Sequence, residues 1–99
     1  MTKPCIRAVA TLKAKAGQEQ ALVDFTVESL ASIRDVDGLL KVEVSRSISD
    51  PGQLVLYYWW ESSGHSERYL AGPVFARIAP ALQALVDEHS LVLAKIVSG

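Results

Sequence analysis

Residues 39–60, LLKVEVSRSISDPGQLVLYYWW, hold the reading that decides the fold. Leu40, Val42, Val44 and Ile48 alternate with Lys41, Glu43, Ser45 and Ser47, the period-two pattern of a strand with one buried face. Pro51-Gly52 suits the two central positions of a type II turn, proline fixing one φ and glycine supplying the positive one. The turn leads into a second strand over 53–61, so the stretch predicts a tight antiparallel hairpin. Strand side chains alternate between faces, which puts Tyr58 and Trp60 on one side and Tyr57 and Trp59 on the other. Neither side is polar, so both faces of this strand need cover.

Working outward, CIRAVATLKA at 5–14 places Ile6, Ala8, Ala10 and Leu12 on one face of another strand, with Arg7, Thr11 and Lys13 among the residues opposite. After Gly17, Leu22, Phe25, Leu30 and Ile33 recur at near-helical spacing through GQEQALVDFTVESLASIRD. They predict an amphipathic helix of about four to five turns, ended by the turn residues DVDG at 35–38. On the far side of the hairpin, SSGHSERYLAG offers N-cap serines and a short helix. PVFARIAPALQALVDEH then carries an apolar stripe from Val74 to Val86. Its Pro80 predicts a break or kink, with the proline opening a final helical segment. His89 falls at the end of that segment, where an imidazolium would favour the negative end of the helix dipole. SLVLAKIV at 90–97 closes the chain as a β-branched strand.

The predicted order is β-α-β-β-α-β in a single domain over 1–99, the ferredoxin-like α+β arrangement with a four-stranded antiparallel sheet. Two helices cover one face of such a sheet, and the apolar residues on the other predict a second copy stacked against it.

Hydrophobic residues make up 49% of the 99 residues and charged residues 21%, with a net charge of -1, a globular balance. Ten basic and eleven acidic residues are scattered, so neither nucleic acid nor a membrane surface is an expected partner. One cysteine, Cys5, and two histidines give no metal-site spacing, and an intrachain disulfide is impossible. The N-terminus MTKPCIRAVA lacks a signal-peptide core, and a cytoplasmic location is the expectation. Phosphate-binding loops, nucleophile elbows and zinc-protease signatures are missing.

The order of elements and the stretches VDGLLKVEVSRS and DPGQLVLYYWWESSGHSERYLAGPVFARIAPAL resemble the antibiotic biosynthesis monooxygenase family of small dimeric α+β barrels. The resemblance spans nearly the whole chain. It puts Trp60 at the family's strand-end tryptophan and Tyr58 where glutamate is common. Tyr69 falls at the first histidine position, and Val74 replaces the second, before Phe75. The resemblance implies a homodimer, each subunit holding a pocket between sheet and helices. Some members oxidise polycyclic phenols or quinols with molecular oxygen and no metal or flavin; others bind and degrade haem.

The expectation is therefore a flat aromatic phenol or quinol oxidised by molecular oxygen without a bound cofactor. Trp60 supplies an indole face and one N–H donor. Tyr69 anchors the substrate, being a poor base with an ordinary pKa of about 10. His65, four residues before Tyr69, is the acid-base candidate. Tyr58, Phe75 and Arg77 complete the substrate-binding set, the arginine as a counter-charge for a phenolate. A non-catalytic dimer that binds a small aromatic metabolite is the alternative, and a haem-binding relative ranks third because the family histidine is absent.

Overall fold

The computed structural model describes residues 5–99. The reading of residues 1–4 lies outside them. The elements are β1 (Ile6–Ala14), α1 (Glu19–Ile33), β2 (Leu39–Arg46), β3 (Gln53–Trp60), α2 (Ser63–Ala71), α3 (Pro73–Leu85) and β4 (Val86–Lys95). All strand pairs are antiparallel, in the order β2-β3-β1-β4. This is the expected ferredoxin-like α+β sheet, with β2 and β4 at its edges and the second helical region divided in two.

Burial along β3 alternates without a break: Leu54, Leu56, Tyr58 and Trp60 are buried, and the residues between them are half-buried. These four join Ala8, Leu12 and Ala14 of β1, Leu22 and Ile33 of α1, Tyr69 of α2 and Ile78 of α3 in one core. The core lies between the sheet and the helices.

β2 departs from simple alternation. Leu39 pairs with Trp60 and Lys41 with Trp59, so an irregularity at Leu40 shifts the register. A bulge of this kind turns the following side chains by one position. Leu39 packs against the core, and Leu40, expected inside, is 38% exposed. Ile48, also expected inside, lies beyond the strand and is 103% exposed.

The hairpin turn is not type II. Among the described residues only Gly17 and Gly38 have positive φ, so Gly52 does not use that freedom. Asp50 closes the turn instead. Its carbonyl accepts from the Gln53 N–H at 2.9 Å, and its Oδ1 accepts from the Gly52 N–H at 3.1 Å. Lys13 on β1 donates to the Asp50 carboxylate at 2.6 Å, and this bond holds the carboxyl below its ordinary pKa.

The helical region breaks earlier than Pro80. Gly72 is extended, at φ -95° and ψ 177°, and Pro73 is the first residue of α3. A residue before proline is pushed out of the helical region, and proline itself suits the first helical position. Pro80 stays inside α3, where it cannot donate to the Ala76 carbonyl.

α3 then ends at Leu85, earlier than its apolar stripe suggests. The Lys15 N–H caps the Leu85 carbonyl at 2.9 Å, and Val86 already pairs with Ala14 of β1. His89 is therefore not a helix cap; it is a strand residue opposite Leu12. No helix among the described residues is long and apolar enough to cross a membrane.

Candidate functional site

A cavity of about 590 Å³ opens between the sheet and the helices α2 and α3. β1 contributes Leu12 to its floor together with Ala8 and Ala10, whose small side chains leave room above the sheet. β3 supplies Leu56, Tyr58 and Trp60, and Ser66, Tyr69, Phe75 and Leu82 come from the helices. The β4 side is formed by Val86, Asp87, His89 and Leu91, among others.

Four rings build the aromatic end. The Tyr58 and Trp60 rings stack with centroids 6.2 Å apart, as alternation on one strand face requires. Tyr69 meets Trp60 at 5.6 Å and Tyr58 at 6.2 Å, and Phe75 packs edge-on against Tyr69 at 5.5 Å. The α2/α3 break aims this end: Tyr69 stands near the end of one helix and Phe75 near the start of the next.

Polar groups at this end are few. Trp60 is 1% exposed, and its indole N–H is buried without a hydrogen-bond partner. A donor in that state costs about 1–3 kcal/mol unless an acceptor arrives. Burial pushes the Tyr69 hydroxyl up to about 12, and a hydrogen bond from Tyr58 works in the opposite direction. The Tyr58 hydroxyl is raised too, first by burial and then by Tyr69. Both phenols are consequently neutral near pH 7 and act as hydrogen-bonding groups rather than bases.

Trp60, Tyr58, Tyr69 and Phe75 thus come together, and two expected site residues do not join them. His65 sits in the first turn of α2, outside the cavity wall. Its Nδ1 lies 2.8 Å from the Ser62 hydroxyl, which also accepts from the His65 backbone N–H at 3.3 Å. Its Nε2 is 3.6 Å from Glu61 and 3.7 Å from Asp37. The ring rests over Gly38, where a Cβ would fall 2.1 Å from its Cδ2. The N-cap that starts α2 therefore ties His65 to the β2 end of the sheet. Arg77 is exposed on α3, away from the wall.

Sequence reasoning missed Ser66, Gln83, Asp87 and His89. Ser66 stands three residues before Tyr69, a helical spacing that puts it on the same side. Period-two alternation run backwards from Leu93 and Leu91 reaches His89. Among the described residues no group of three or more His, Cys, Asp or Glu side chains could hold a metal ion.

A family model described as Antibiotic biosynthesis monooxygenase matches residues 5–81. No match was found among curated proteins. Solved structures do match. A proposed antibiotic biosynthesis monooxygenase of Deinococcus radiodurans is 25% identical, with a TM-score of 0.86 over 95% of this chain and 94% of the other. PA3566 of Pseudomonas aeruginosa is 18% identical, with a TM-score of 0.86 over 99% of both chains. A Nitrosomonas europaea protein of unknown function, NE2512, is 17% identical, with a TM-score of 0.86 over 100% of this chain and 95% of the other.

Proposed function

Because the chain belongs to the antibiotic biosynthesis monooxygenase family, we propose that it oxidises a flat aromatic phenol or quinol with molecular oxygen and no bound cofactor. The observation that carries this reading is the unpartnered indole N–H of Trp60 in the wall of an aromatic cavity. A phenolic or quinone oxygen would be its missing acceptor. The stacked Tyr58 and Trp60 rings match the face of a planar ligand, and neutral Tyr58 and Tyr69 hydroxyls add donors at its edge.

In the reaction, the ligand loses a phenolic proton and its ring supplies all the electrons. One oxygen atom enters the ring and the other leaves as water. The protein's contribution is to bind the ring, keep water away and favour the ionised ligand. Each subunit of a homodimer would hold one such site, with the outer faces of the two sheets in contact.

A second reading is a dimeric module that binds an aromatic metabolite without turnover. It is favoured by Tyr69 and Val74, which stand at the family's histidine positions and provide no base. Oxygen uptake over a panel of quinols separates the two. The enzyme reading expects wild-type uptake that falls at least about tenfold, some 1.4 kcal/mol, in Trp60→Phe and Tyr69→Phe variants with unchanged far-ultraviolet dichroism. Calorimetric binding without uptake across the panel would instead establish the binding module.

A further inference from the structure

Neither tyrosine can take the ligand's proton near neutral pH, and His65 does not reach the cavity. The wall nevertheless holds one imidazole. In an antiparallel pair, directly opposed residues share a face. His89 opposes Leu12, a buried residue of the helix-covered face, so it stands on the cavity side of β4. Ser90, which also borders the cavity, opposes Thr11, and their exposed hydroxyls bond to each other. We propose that His89 is the proton acceptor for the ligand's phenolic hydroxyl, an assignment that rests on the cavity being a phenol site.

The step is a single proton transfer. The O–H bond breaks, its electron pair stays on the phenolate oxygen, and the proton bonds an imidazole nitrogen. Imidazole is the side chain whose ordinary titration falls nearest neutrality, which suits a general base. The groups around it on each packed element support that role. Asp87 has no partner in the β1 register, which skips from Glu88 to Val86, and it lines the same wall as a negative neighbour for an imidazolium. α3 brings the uncharged Gln83, the β1 floor is apolar, and the Tyr69 and Tyr58 hydroxyls lie toward the far, aromatic end of the cavity. Lys13, next to Leu12, is engaged by Asp50.

Register also fixes the reach of the ligand. Trp60 opposes Ile6 and His89 opposes Leu12, so at about 3.4 Å per residue their strand positions lie about 20 Å apart. A single ring held by His89 cannot also meet the Trp60 N–H. The arrangement therefore selects an elongated ligand, with an acceptor at the aromatic end and an ionisable hydroxyl at the β4 end.

The test uses 2-hydroxyanthraquinone, whose hydroxyl can meet His89 without its carbonyls having to reach Trp60, and whose visible band moves to the red when the hydroxyl ionises. Its electron-poor rings resist oxidation, so binding is read without turnover. Calorimetry measures affinity, and absorbance from pH 5 to 9 measures ionisation of the bound probe. In the wild type the bound probe should ionise at lower pH than the free probe. His89→Gln should move that midpoint up by at least about one pH unit, a tenfold loss of phenolate at fixed pH. His89 is exposed, so the substitution removes no buried packing. Retained binding with an unmoved midpoint overturns the role of His89 alone. No binding to the wild type overturns the phenol site and this assignment together.

Discussion

At the scale of single residues, the aromatic end of the cavity depends on the buried Trp60 indole N–H and on the Tyr58 and Tyr69 hydroxyls. Tyr69 and Tyr58 both have hydroxyl pKa values raised by burial, Tyr69 to about 12. For each, the neutral form is favoured by folding. Their contribution to stability is therefore complete below the unfolded value of about 10 and is lost as pH rises through the folded value. Urea midpoints should be flat from pH 8 to 9.5 and fall steeply between pH 10 and 12. Tyr69→Phe should make that fall shallower; an equally steep fall in the variant would remove Tyr69 as a cause. Alternation alone brought Tyr58 and Trp60 to one face and the family resemblance added Tyr69, so this much of the site was legible in the sequence. His89 was not, because the residues before it keep a helical apolar spacing and only pairing with β1 turns them into strand.

At the scale of elements, the departures occur where a local preference met a tertiary partner. The Leu40 bulge, the early end of α3 and the Asp50-closed turn all depend on contacts with other strands. The junction of Gly38 with α2 shows the coupling most directly. Gly38 has φ +80°, and the His65 ring occupies the space its side chain would fill. Gly38→Ala should destabilise by about 2–4 kcal/mol, combining left-handed strain with a steric clash. Adding His65→Ala should recover the clash and leave about 1–2 kcal/mol, measured by urea unfolding of both variants. Additive losses would show that the ring gives way without cost. Pro80→Ala should act the other way, gaining about 1–3 kcal/mol by restoring a helix donor; a loss in the same assay would mean that the α3 geometry depends on the proline.

At the scale of the whole molecule, the outer sheet face is where the proposed homodimer would form. Tyr57, Val9 and Val92 form one row across three strands, and Trp59, Arg7 and Ala94 the next. The Tyr57 and Trp59 rings stack at 6.0 Å, Arg7 lies 5.8 Å from the Tyr57 ring, and Lys41 lies 5.0 Å from Trp59. Val92 is 58% exposed in the single chain, an apolar residue in the middle of this face. Light scattering should give twice the chain mass at micromolar concentration, and Val92→Asp should halve it by placing a charge in the contact. A wild-type monomer would refute the stacked-sheet arrangement.

The sequence by itself determined the order of elements, the two faces of β3 and the antiparallel hairpin, because period-two and near-helical spacing are local properties of the chain. Only the tertiary structure decided which of the marked residues share a cavity. His65 was drawn away by the Ser62 cap and the space over Gly38, and Arg77 was left in solvent. His89 was carried onto the wall when Val86 gave up the helix to pair with β1, since hydrogen bonds between distant strands, unlike spacing, cannot be read from neighbours in the chain.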